Sequence, residues 1–320
     1  MNDKKQTNEQ IINEYTFNKF LPLWENNLSK TINKIRYARS ILGLKDYFKN
    51  KSVPAVIIGG GPSLDKKISL LKKYKNQAIT ICSDIVYKNI AKYYFQPDFC
   101  VTIDAQPEIE TFVKNTKKTK TLLVAPTVTF PGVIKNWNGN RAFYNIKFEN
   151  DYCMNIDINK NIPINVWLPT GNIVGNFAAV FALFLGCNPI ILVGNDMAFT
   201  NLKCYSNLVA KNNHLKTNKF NSNETYDISY ITDQENLVIM KDIYGKDIYS
   251  RRDYIFYYNW LSKNLFNHIM CANCTEGGIV KTPIVHNFEP FIAPYPIIDK
   301  PNFYNLTKSN SSQKKIRFVL

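Results

Sequence analysis

Between Val53 and Asp196 the chain repeats one pattern, a short apolar run followed by a stretch with helical spacing. VPAVIIGG (53–60), AITICS (78–83), DFCVTID (98–104), TLLVAP (121–126), RAFYNI (141–146) and NPIILVGND (188–196) read as strands. Most are apolar without alternation, the mark of strands covered on both faces. KKISLLKKYK (66–75), IVYKNIAKYYF (85–95) and NFAAVFALFLG (176–186) read as helices, the second ended by Gln96-Pro97 and the third by Gly186. Strands separated by helices pair in parallel, so the expected fold is α/β: a doubly wound, mostly parallel sheet with helices on both faces.

The flanks differ. Residues 1–52 are polar and lysine-rich, with Phe17, Phe20, Leu21, Trp24, Leu28, Ile32 and Ile35 at helical intervals, and read as an N-terminal helical flank packed on something larger. Residues 53–285 form the expected Rossmann-like domain, interrupted at about 201–238 by an irregular Asn-, Lys- and Ser-rich insertion. RRDYIFYYNWLSKNLFNHI (251–269) reads as one more helix, and 286–320 as a C-terminal extension.

Composition narrows the function classes. With 45% hydrophobic and 20% charged residues in 320, a packed core is expected. The net charge of +15 suits phosphates, a nucleotide carrier or an anionic lipid surface, with peripheral membrane contact; solubilising lysines explain it equally well. No compact nucleic-acid motif accompanies it, so nucleic acid is not an expected partner. His214, His268 and His286 are too scattered for a three-histidine metal cage. Cys82, Cys100, Cys153, Cys187, Cys204, Cys271 and Cys274 are odd in number, several lie in apolar runs, and the lone CANC pair at 271–274 reads as packing. With a polar start lacking the apolar core of a secretion signal, this pattern points to the cytoplasm. Ile173–Gly194 has the length of a membrane span, but Gly186, Asn188 and Pro189 interrupt it, so a buried helix followed by a buried strand is expected.

Chemistry concentrates at the strand ends. GGGPSLD (59–65) joins a strand to a helix: Gly59, Gly60 and Gly61 permit a tight turn, Pro62 presets the first helical turn, and Ser63 is a cap or a ligand contact. Such a start suits a phosphate. Asp104 closes the third strand, where it is a candidate for ribose hydroxyls, for a proton, or for Mg2+; Gln106 follows it as a reader of a base or sugar. Ser83-Asp84 and Asn195-Asp196 repeat the acidic strand end. Thr170, Gly171 and Asn172 precede the apolar helix as a second anion nest, with Asn172 also a candidate cap. Tyr249, Arg251 and Arg252 are candidates for phosphate contacts or surface positions, and His268 and His286 are weak candidates for a base.

GGGPSLD, FCVTIDAQP, the PTGNIVGNFAAVFALFLGCNPIILVGND block and NCTEGGIV (273–280), in that order, resemble the 6-hydroxymethylpterin pyrophosphokinase-like family. That family includes the central domain of motility accessory factors, implicated in attaching nonulosonic acids to flagellin and similar to sialyltransferases that use CMP-activated sugars. The resemblance covers roughly residues 50–285. It implies a sialyltransferase-like fold with phosphates or a nucleotide over Gly59–Ser63, bordered by Asp104 and Gln106 and lined by Thr170–Asn172 and Asn195-Asp196. Thr275, Glu276, Gly277 and Gly278 would close the cleft from the far side. Asn195 departs from the family pattern, in which Gln or another polar residue is expected.

Two chemistries follow from the resemblance. One is a glycosyltransferase moving a nonulosonic acid from a CMP-sugar to a glycan or protein acceptor such as flagellin. The other is a 6-hydroxymethyl-7,8-dihydropterin pyrophosphokinase using ATP, with Mg2+ on Asp104 and Asp196. A nucleotide-binding or interaction protein without catalysis is the third reading.

Overall fold

In the computed structural model residues 8–147, 164–210, 236–309 and 316–318 are described. Most of the expected insertion (211–235), Cys153 and His214 lie outside them. Fourteen strands occur among the described residues: β1 (Arg39–Ser40), β2 (Ala55–Ile58), β3 (Ile79–Ser83), β4 (Phe99–Val101), β5 (Leu122–Pro126), β6 (Arg141–Ile146), β7 (Val166–Leu168), β8 (Ile190–Val193), β9 (Leu237–Lys241), β10 (Asp247–Arg251), β11 (Cys271–Asn273), β12 (Ile284–Val285), β13 (Lys308–Ser309) and β14 (Ile316–Arg317). The main sheet runs β12-β11-β8-β2-β3-β4-β5-β6-β1-β13, and β7 and β14 branch from β6. Every pairing in it is parallel except β1 with β13. All six strands expected from the apolar runs form.

The helices among the described residues are α1 (Asn8–Ile35), α2 (Ile68–Tyr74), α3 (Asp84–Tyr93), α4 (Glu110–Val113), α5 (Pro131–Asn136), α6 (Val174–Phe184), α7 (Asn207–Ala210), α8 (Arg252–Leu261), α9 (Phe288–Ile292) and α10 (Phe303–Leu306). Alternate residues of one strand enter opposite cores. Ile57, Ile79, Ile81, Phe99 and Val101 pack with Phe177, Phe181 and Phe184 of α6 on one face. Val56, Ile58, Cys82 and Cys100 pack with Val86 and Ile90 of α3 on the other. Two-sided burial is why these strands are uniformly apolar. Cys82, Cys100, Cys187, Cys271 and Cys274 are all buried.

The Ile173–Gly194 stretch is a buried helix followed by a buried strand, and no helix among the described residues is long and apolar enough to cross a membrane. The 251–269 stretch differs from one continuous helix: α8 ends at Leu261 and a π turn covers Ser262–Phe266. The antiparallel hairpin β9–β10 was not expected.

The chain order β2-β3-β4-β5-β6 runs outward on one side of β2, while β8, β11 and β12 run outward on the other. The sheet therefore reverses its winding between β2 and β8. Connections leaving those two strands diverge, which opens a crevice at their carboxyl ends, the usual ligand position in such sheets.

Candidate active site

A cavity of about 330 Å³ occupies that crevice. Its floor is Gly59, Gly60 and Gly61 after β2 and Gly194, Asn195 and Asp196 after β8; Asp84 and Asp104 come from the ends of β3 and β4. Val174 and Gly175, the first turn of α6, border it, and Tyr205 and Tyr254 form an aromatic side. Among the described residues lining it there is no Lys, Arg or His.

The three carboxylates are held differently. Asp196 is fully used: Ser63 donates from its hydroxyl to Oδ2 at 2.7 Å and from its amide to Oδ1 at 3.3 Å, and the Thr200 hydroxyl donates to Oδ1 at 2.6 Å. Burial pushes its pKa up to about 6 against the pull of those donors. Asp84 opens α3, and its Oδ1 accepts from the Ile85 amide at 2.8 Å. Its Oδ2 is buried with no hydrogen-bond partner. Burial, with a smaller push from Asp104, raises the Asp84 pKa to about 7; hydrogen bonding from the Thr102 side chain and the Ile85 amide opposes the shift without meeting Oδ2. The Thr102 hydroxyl itself accepts from the Asp104 amide at 3.4 Å. Asp104 is raised mainly by burial, with the Gln106 and Ala105 amides drawing it back; the Gln106 amide donates to its Oδ1 at 2.9 Å.

The glycine turn is built by packing as much as by any ligand. A Cβ on Gly61 would lie 2.0 Å from Asp196 Oδ2. Pro62 starts a 3-10 turn over Pro62–Lys66, and Ser63 braces Asp196 rather than capping a helix. Asn195 lines the crevice, but its side-chain amide staples the β2 and β8 carbonyls of Ile57 and Val193, each at 3.0 Å. The Gln106 backbone holds Asp104, while Gln106 itself is not among the lining residues.

The segment expected to close the cleft stands behind it instead. Thr275 is buried between the Asn195 amide and the Leu192 carbonyl. Glu276 pairs with Lys67, and Gly277 faces the Thr200 side chain. Gly278 adopts φ +75 against the Asp196 backbone, where a Cβ would sit 2.0 Å from the carbonyl oxygen. These residues set the position of Asp196 without lining the crevice.

Thr170 and Asn172 border a second cavity of about 230 Å³ that shares Asp104 with the first. Gly171 packs on the Trp260 ring, and Asn172 sits at φ +62 without capping α6, whose N-cap is Ile173 with no side-chain cap. His268 and His286 are exposed and outside both cavities. Arg251 is engaged by Asp253 at 2.9 and 2.5 Å, Arg252 is exposed, and Tyr249 lies on the outer hairpin. Sequence reasoning missed Phe20, Trp24, Tyr205, Tyr254 and Tyr257, because aromatic spacing signals burial without saying which cavity is bordered.

Fold and site together define an α/β protein of the switch-point ligand-binding class, with a carboxylate-rich crevice where its winding reverses. The chain belongs to the MptE-like family, described as 6-hydroxymethylpterin diphosphokinase MptE-like, which it matches over residues 26–202. Among solved structures it is similar to the MAf glycosyltransferase from Magnetospirillum magneticum AMB-1, at 14% identity and a TM-score of 0.60, over 86% of this chain and 40% of that one. The chain thus spans under half of that structure's length, and the likeness is one of fold. No curated protein sequence matches it. The family description is that of a transferase-type protein, a diphosphokinase.

Proposed function

We propose that the protein is a transferase that takes a nucleotide-activated donor in the β2–β8 crevice and passes its group to an acceptor hydroxyl. The observation that carries this is the unpartnered, buried Oδ2 of Asp84 in a crevice with three carboxylates and no lining cation. An orphaned buried carboxylate oxygen is costly unless something positive meets it. Among the described residues no three metal-ligating side chains come together. Mg2+ fits such a site, since it needs only one or two carboxylates beside substrate phosphates and water. Asp84 would hold it, and Asp196, with both oxygens engaged, would not. When bound, the cation would neutralise charge on the phosphates.

The chain's own residues supply the rest. The first turn of α6 carries no side-chain cap, so its amides and the helix dipole face the donor phosphates. Gly60 and Gly61 let the backbone approach them. Asp104, raised by burial, accepts the proton of the acceptor hydroxyl; a raised carboxylate is the stronger base. Tyr205 and Tyr254 keep water from the aromatic side of the crevice.

The group transferred is a nonulosonic acid from a CMP-linked donor, onto a glycan or a protein such as flagellin in the cytoplasm. The likeness to the glycosyltransferase supports this reading because it extends over 86% of the chain, beyond residues 26–202. The second reading, diphosphate transfer from ATP to 6-hydroxymethyl-7,8-dihydropterin, is favoured by the family description and by the acidic lining. Incubation with CMP-nonulosonate and glycan or flagellin acceptors, and separately with ATP, Mg2+ and the pterin, separates them by mass spectrometry. Sugar-modified acceptor and CMP are expected; AMP and pterin diphosphate without sugar transfer would reverse the order.

A further inference from the structure

Asp104 stands in the wall of two cavities, and the second, of about 230 Å³, has a different character. Thr16, Phe20 and Trp24 of α1 form one side, and Tyr257 of α8 with Asn172 forms another. The Phe20 and Trp24 rings are stacked, with centroids 6.1 Å apart and planes 21° from parallel. Thr16, Phe20 and Trp24 precede residue 26, so this wall lies outside the stretch matched by the family.

Two buried asparagines fix its walls. Asn27 donates to the carbonyls of Ala105 at 2.8 Å and Val128 at 3.1 Å, which pins α1 to the loop beside Asp104. Asn176 donates to the carbonyls of Gly171 and Tyr257, each at 2.9 Å, which ties the 170–172 turn to α8. Buried amides in such bonds are costly to displace, so the cavity is a preformed shape. Its aromatic lining and few polar groups are those of a small-molecule site.

Resting on the transferase reading, we propose that this cavity is the acceptor subsite. It takes a ring with an apolar face, packed on Phe20, Trp24 and Tyr257, with a hydroxyl directed at Asp104 and so toward the donor crevice. A heterocycle and a pyranose share that chemistry, and the test distinguishes them.

The chain labelled with 5-fluorotryptophan gives four tryptophan positions, and Trp24→Phe identifies that of Trp24 in 19F NMR. The probes are 6-hydroxymethylpterin and methyl β-galactoside, each added to CMP- and Mg2+-containing protein at millimolar concentration. One probe is expected to shift Trp24 saturably. Thr16→Phe, which fills the cavity from α1, is expected to weaken that probe about tenfold while calorimetric CMP affinity holds. Tyr257→Ala on the opposite wall should weaken the same probe, and it keeps the test open should Thr16→Phe not fold. A Trp24 shift without any CMP binding would support the subsite and remove the donor reading. No Trp24 shift with either probe, or equal loss of CMP and probe in folded variants, would overturn the subsite.

Discussion

The two cavities that meet at Asp104 are built by opposite rules. The crevice is assembled from strand ends, and its polar groups are carboxylates whose ionisation burial disfavours. The neighbouring cavity sets two helices, α1 and α8, against the residues that follow β4 and the end of β6, and its helical walls are aromatic and tied down by asparagine side chains. The first carries the electrostatic cost of buried carboxylates; the second offers mainly shape, with the Asn176 amide donating twice while its buried Oδ1 stays unpartnered. Preorganisation in one molecule thus takes two forms, charge waiting for a counter-charge and surface waiting for a ring.

The contrast can be broken most severely from behind the crevice. Gly278→Ala forces a side chain onto the Asp196 carbonyl at positive φ, and should cost about 3 kcal/mol or more. Urea unfolding measures it, and a neutral result would mean that the 275–278 segment does not fix Asp196.

Asp84→Asn should act in the other direction on the metal-free protein. Between the ordinary aspartate value of 3.8 and about 7 the folded state holds more protons at Asp84 than the unfolded state. Stability from that group is therefore full below about 4 and lost as pH rises through about 7. Asp84→Asn should raise stability at pH 8 by about 2 kcal/mol, the full linkage of about 4 being partly offset by an amide left buried without a partner in the same place, and should flatten the decline. A drop in thermal midpoint at pH 8 would contradict the unpaired carboxylate. Asp196 adds a similar decline ending near 6.

The smallest effect is expected at Ser63. Ser63→Ala removes the 2.7 Å bond to Asp196 and should cost about 1 kcal/mol. It should also move the Asp196 titration upward from about 6, which carboxylate NMR would detect. An unchanged titration would show that Ser63 does not support Asp196.

The same contrast separates what the sequence discloses from what it conceals. Strand ends are legible because a buried parallel strand is a continuous apolar run, so Asp84, Asp104 and Asp196 announce themselves where the apolar residues stop. Their partners are not legible. The proximity of Ser63 to Asp196 spans the β2–β8 reversal, and nothing local says that Gly61 and Gly278 are small to admit Asp196 rather than a phosphate. The PTGNIVGN turn reads as one nest, yet Thr170 and Asn172 border one cavity while Val174 and Gly175 border the other. The helical spacing of Phe17, Phe20 and Trp24 foretells α1, but only tertiary packing turns Phe20 and Trp24 into a cavity wall.

The central claim is that the crevice accepts phosphate through a cation met by Asp84. Calorimetric titration of CMP and ATP with Mg2+, and again with Mg2+ removed by chelation, tests it directly on the parent chain and on Asp84→Asn. Nucleotide binding by the parent is expected to fall at least about tenfold without Mg2+, and Asp84→Asn is expected to bind equally weakly in both conditions. Parent and variant binding the nucleotide with the same affinity, with or without the cation, would contradict it.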